Sequence, residues 1–167
     1  MRVLAGLVAT LSIIGFTACS APAETNATVD TSLESSFDRS TLIIVADDGE
    51  RHDFDVYLAT EFEQQRRGLM FVRQMPANVG MLFIYQETEM HSMWMKNTFI
   101  PLDMVFARAD GSVSSVIHDT QPLSLQSQAS KEPVNYVLEL NAGTARRLHI
   151  GSKSRLIVDP AVAVKSD

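Results

Sequence analysis

A mainly β domain, an antiparallel sandwich or squashed barrel with one or two short helices, is the fold this chain predicts. Short β-branched or alternating apolar runs recur from residue 42 to residue 158, and turn signals such as Asp47-Asp48-Gly49, Asp110-Gly111 and Asn141-Ala142-Gly143 punctuate them. No regular series of helices separates the runs, which argues against a parallel α/β sheet. With 167 residues, 46% of them apolar, the chain can fill one core and not two large ones.

The elements follow in order. Residues 42–46 are short and β-branched, and residues 52–58 alternate polar with apolar, so the intervening Asp47-Asp48-Gly49 makes a hairpin of them. Thr60-Glu61-Phe62-Glu63 fits a capping box in which the Thr60 hydroxyl accepts the Glu63 amide, and Gly68 stands where a helix of about two turns would stop. Strands are expected at 80–85, 90–95, 103–107, 112–118, 134–140 and 155–158, with a helical turn at 144–149 and a long Gln/Ser-rich loop over 120–133.

The first 40 residues read as an address and a tether. Arg2 precedes an uncharged apolar stretch over residues 3–16, which is the pattern of a secretory leader. Phe16-Thr17-Ala18-Cys19 resembles a bacterial lipobox, with Phe16 where leucine is usual, so residues 1–18 are expected as a signal peptide and Cys19 as the lipid acceptor. The plainer alternative is a leader cut near Ala21-Pro22-Ala23, which leaves no anchor. Residues 19–40 are rich in Ser, Thr, Ala and acids and are expected as a flexible linker. A single β domain over 41–159 and a short tail over 160–167 complete the expected organisation. The chain would then be exported and lipid-anchored in the cell envelope, facing the periplasm if the host has two membranes. Cys19 is the one cysteine, so a disulfide within the chain is excluded, and acylation would remove the thiol as a nucleophile.

Charge narrows the partners. Fourteen Lys and Arg face 20 Asp and Glu, a net charge of −6, which argues against binding a nucleic-acid backbone. Between Arg66 and Phe106, however, lie Arg67-Gly68-Leu69-Met70, Arg73, Trp94-Met95-Lys96-Asn97-Thr98 and Pro101-Leu102-Asp103-Met104-Val105-Phe106. Guanidinium, indole, amide, hydroxyl and carboxyl groups beside apolar walls suit a pocket for a polar or anionic ligand. The alternative makes Trp94 a core ring, Asn97-Thr98 a self-satisfied turn, and Asp103 an ion-pair partner of Arg67 or Arg73.

These blocks closely resemble a family of uncharacterised proteins, domain of unknown function 192, over roughly residues 41–159. The runs WMKNT and PLDMVF carry the likeness, and VNYVLELNAG at 134–143 is similar to a second signature; Met93 stands where an aromatic residue is frequent. The resemblance implies a mainly antiparallel β-sandwich, often behind a signal peptide or lipid anchor, and no particular reaction, substrate or cofactor. It singles out Arg67, Gly68, Arg73, Gly80, Trp94, Asn97, Thr98, Asp103 and Glu139.

Arg67, Arg73, Trp94, Asn97, Thr98, Asp103 and Glu139 are thus the expected ligand-binding residues of a tethered domain that performs no chemistry and uses no cofactor. The ligand would be a small molecule or an envelope polymer. Three other readings remain open. The nucleophile-elbow, zinc-protease and phosphate-loop signatures are absent from the sequence, but Asp103 and Glu139 could be the carboxyl pair of a glycan hydrolase. Every methionine except Met1 falls between Met70 and Met104, and His91, Met93 and Met95 would share one face of a regular strand, an arrangement suited to Cu(I). A purely structural scaffold needs no pocket.

Overall fold

The computed structural model describes residues 31–163; the leader, Cys19, most of the expected linker and the last tail residues lie outside the described residues. A helical turn, α1 (Thr31–Glu34), opens the described chain. Leu33 and Phe37 are 1% and 5% exposed, and Phe37 meets the Tyr57 ring edge-on at 6.5 Å. The segment expected to be linker up to residue 40 therefore joins the core well before that point. Spaced four residues apart, these two side chains reach one face, with the Phe37 amide donating to the Leu33 carbonyl at 3.0 Å.

The hairpin of β1 (Asp38–Val45) and β2 (Arg51–Ala59) forms with Val45 opposite Arg51. Gly49, at φ +87°, supplies the left-handed residue that the turn requires. The helix α2 (Phe62–Arg67) is capped one residue later than the sequence suggests: Glu61 is the N-cap, and the Gln64 side-chain oxygen accepts the amides of Thr60 and Glu61, both at 3.1 Å. Gly68, at φ +47°, ends it.

Because α2 lies between them, β3 (Val79–Glu89) returns parallel to β2, the one exception to the antiparallel pattern in this sheet. The strand expected over 90–95 shrinks to β4 (Ser92–Met93), which pairs with β7 (Gln128–Ala129) inside the expected loop. A tight turn ends β4 early, since the Thr98 amide donates to the Met95 carbonyl at 3.1 Å and Asn97 sits at φ +56°. β5 (Leu102–Ala107), β6 (Val113–Ile117), β8 (Val134–Asn141), the turn α3 (Thr144–Arg147) and β9 (Arg155–Val158) fall where the sequence places them.

The main sheet has seven strands in the order β6-β5-β8-β3-β2-β1-β9. Its two edges meet: Ser112 bridges Arg155, the Val113 amide donates to the Ser154 carbonyl at 2.9 Å, and the Leu156 amide to the Gly111 carbonyl at 2.8 Å. The sheet is thus curled toward a squashed barrel rather than split into a sandwich. Side chains alternate between two apolar clusters. Leu42, Ile44, Val56, Leu82, Leu138 and Leu140 fill the inside of the curl with Val113 and Leu156 from its edges. Tyr57, Met81, Phe83, Met104, Phe106 and Val137 form the outer face, roofed by Leu33, Phe37, Leu69, Val72, Met93 and Met95.

Truncating the roof at its first segment tests this architecture. Phe37→Ala is expected to cost about 3 kcal/mol of unfolding free energy in urea. A loss of only a few tenths would mean that residues 31–37 do not pack on the domain.

Candidate functional site

The candidate site begins with strand parity. Along β8, Val137 faces the roofed side of the sheet, and Glu139, two residues on, shares that face between Met81 of β3 and Met104 of β5. Strands β3 and β8 approach closely here: a Cβ on Gly80 would lie 2.8 Å from the Glu139 carbonyl oxygen. Glu139 is 4% exposed, and no hydrogen bond joins its carboxyl to any described residue. Burial alone pushes this carboxyl up from the ordinary glutamate value to about 8, so at neutral pH it is mostly the uncharged acid. Tyr85 is pushed up to about 12, first by burial and then by the Glu139 charge.

Above Glu139 is a cavity of about 20 Å³, walled by Gly68, Phe83, Met93, Trp94 and Thr98. An open cleft of about 510 Å³ lies outside it, lined by Arg66, Arg67, Phe71, Trp94, Lys96 and Asn97, with Glu63 and Met70. Arg66, Arg67, Met70 and Trp94 border both spaces, so the two lie side by side.

Two local structures build these walls. The helix α2 is fixed over the sheet by Gln65, whose amide donates to the Ile84 carbonyl at 2.9 Å, and by Gln64, which reaches the Ser36 carbonyl at 3.1 Å. Its last residues, Arg66 and Arg67, then stand at the cleft. In the turn opposite, Met95 is held inward: its sulfur accepts the Thr120 hydroxyl at 3.1 Å, and its amide donates to the Ser124 carbonyl at 3.0 Å. Trp94 is consequently turned outward, 45% exposed, with the Lys96 ammonium 5.0 Å from its ring centre. The Asn97 carbonyl accepts the Phe71 amide at 2.8 Å, which ties the crossover loop to the same turn.

Five expected residues therefore come together: Arg67, Trp94, Asn97, Thr98 and Glu139. Arg73 does not join them; its guanidinium stands 4.9 Å over the Phe99 ring. Nor does Asp103, which is fully buried on the opposite face of the sheet. Its two carboxylate oxygens accept the Asp119 amide at 3.0 Å and the Ala145 amide at 2.8 Å, and His118 lies 3.8 Å away. Asp103 thus holds the start of α3 and the chain after β6. It cannot face Glu139, because Met104 is the residue registered against Glu139. That separation removes the expected glycan-hydrolase pair. The expected copper set also disperses. His91 stacks on Tyr85 at 3.6 Å and its imidazole is pushed down chiefly by burial; Met93 accepts the Tyr85 hydroxyl at 3.7 Å, and Met95 serves Thr120.

Arg66, Lys96 and Phe71 are cleft residues that sequence reasoning missed. Lys96 had a readable signal, its place two residues after Trp94 in a turn; Arg66 had none, since the end of a short helix can present either neighbour.

The profile of a family described as "Uncharacterized ACR" (DUF192) matches residues 43–158. A crystal structure described as that of a candidate transcription regulator from Sinorhizobium meliloti 1021 is 43% identical, with a TM-score of 0.72 over 73% of this chain and 95% of that one. A protein of unknown function from Novosphingobium aromaticivorans DSM 12444 is 31% identical, with a TM-score of 0.71 over 74% of this chain and 88% of that one. No curated protein matches the chain.

Two outcomes test the assignments of the carboxyl groups. A raised folded-state value means that the native state binds more protons than the unfolded one between about pH 4.5 and about 8, so stability falls as pH rises through that window. The expected slope is up to about 1.4 kcal/mol per pH unit in thermal or urea unfolding, and Glu139→Gln abolishes it. An unchanged slope in the variant would assign the effect elsewhere. Asp103→Ala is expected to cost about 3 kcal/mol of stability, because the buried Ala145 amide and the part-buried Asp119 amide lose their acceptor. A neutral substitution would contradict that role.

Proposed function

The chain belongs to the DUF192 family, and from that premise we propose that it is an extracytoplasmic binding domain whose cleft holds an anionic, ring-bearing ligand without chemistry of its own. One observation carries the reading: Arg66, Arg67 and Lys96 gather with the Trp94 ring around a single cleft, on a chain whose net charge is −6. Cations concentrated locally on an acidic protein focus its field on one place and favour an anion there. Arginine forks grip a carboxylate or phosphate in two bonds, and an exposed indole offers a flat face to a ring. A cleft of about 510 Å³ has the size of a small-molecule site.

The surrounding charge argues for a small or envelope-borne anion over a nucleic acid, whose affinity rests on an extended basic surface. The lipobox-like Cys19 supports the same setting. A lipid on that residue would tether the domain at the membrane through the chain before residue 31, and the ligand would be a free acid or an acidic unit of an envelope polymer. The alternative as a glycan hydrolase loses its support once Asp103 lies on the other face of the sheet.

Trp94 is the only tryptophan, so its fluorescence reports the cleft directly. Methyl glucuronoside is expected to change that emission in a saturable way, with a Kd in the millimolar range or tighter, while uncharged methyl glucoside does not. Arg67→Ala should weaken the effect about tenfold, and raising salt from about 0.05 to about 0.5 M should weaken it further. No response to the acid at about 10 mM, or an undiminished one in Arg67→Ala, would overturn the proposal.

A further inference from the structure

Resting on that reading of the cleft, we propose that the Glu139 carboxyl is a specificity subsite that takes one hydroxyl of the ligand, which makes the preferred ligand a polyhydroxylated acid of the sugar-acid class. Position supports it first. Glu139 lines the small cavity, and Arg66, Arg67 and Trp94 border both that cavity and the neighbouring cleft. A ligand whose acid group meets the arginines and whose ring lies on Trp94 therefore directs a substituent toward Glu139.

The second argument is the unmet hydrogen bonding of Glu139. Burying a carboxyl with no partner costs several kcal/mol, and buried polar groups in native proteins rarely go unbonded. Its surroundings do not fill the space. Gly68, at φ +47°, brings no side chain over the acid, and a Cβ there would already lie 3.1 Å from the Phe83 ring. The lack of a side chain at Gly80 lets β3 lie close against the strand that carries Glu139.

Chemical matching then selects the group. About 20 Å³ is enough for a water-sized group such as a hydroxyl. An uncharged carboxyl offers one donor and one acceptor, which a hydroxyl answers with one of each. A methyl group would leave the acid unsatisfied. An ammonium group would have to pass Arg66, Arg67 and Lys96, whose charges repel it.

The test uses methyl glucuronoside and its 2-, 3- and 4-deoxy analogues as probes, read by Trp94 fluorescence on the chain without its leader. One deoxy analogue is expected to bind about tenfold more weakly than the parent and the others within about twofold, because only one hydroxyl can occupy the cavity. In Glu139→Leu the four probes should bind alike, whereas Glu139→Gln, which keeps a donor and an acceptor, should retain part of the discrimination. If the wild-type protein binds all four probes alike, or Glu139→Leu discriminates as the wild type does, the subsite is overturned and the cleft reading stands. If none of the four binds, both fall together. The probe comparison on the wild-type protein decides the matter even should a variant fail to fold.

Discussion

The whole arrangement depends on covering a sheet that is apolar on both faces. Curling disposes of one face, because Val113 and Leu156 at the meeting edges close the inner cluster over itself. Among the described residues, the outer face meets only the two-stranded β4-β7 ribbon of the second sheet, so short pieces roof it: α1 and the residues after it, the loop that follows α2, β4 and the turn after it. Such a roof has seams. At one of them Glu139 lies under a cavity instead of under a side chain, and the residues at the roof's edges become the walls of a cleft.

The same constraint explains the orientation of the polar groups. Met95 and Trp94 are neighbours in a turn, and drawing the thioether into the core against Thr120 sends the indole outward. Similarly, seating α2 through Gln64 and Gln65 leaves its two arginines at the rim. The Arg66–Glu63 pair at 2.6 Å is exposed and contributes little to stability, so Arg66 gives up little by turning to an incoming anion.

Much of the fold was legible because its signals are local. The hairpin turn, the stop at Gly68 and the strand runs each depend on a few adjacent residues, and all but the run at 90–95 appear where expected. What was not legible depends on partners far along the chain. Leu33 and Phe37 sit in a polar stretch and become core only because Tyr57 and the outer face are there to receive them. The strand expected over 90–95 was cut short by the Met95 hydrogen bond to the Ser124 carbonyl and by the turn at Asn97. Asp103 and Glu139 illustrate the limit most sharply: each lies on a readable strand, but which face each takes follows from the register of β5 against β8, two strands about 30 residues apart whose offset no local pattern states. Of the candidate site, Arg67, Trp94, Asn97, Thr98 and Glu139 were recoverable as residues, and their convergence was not.

The subsite beside the cleft turns on the state of one side chain, the carboxyl of Glu139, uncharged under the roof. Carbon-13 NMR of that side-chain carboxyl across a pH titration measures it directly. A midpoint near 8 agrees with a buried acid that has no partner of its own. A midpoint near the ordinary glutamate value, about 4.5, would mean that water or a counter-charge reaches the group freely and would contradict the account.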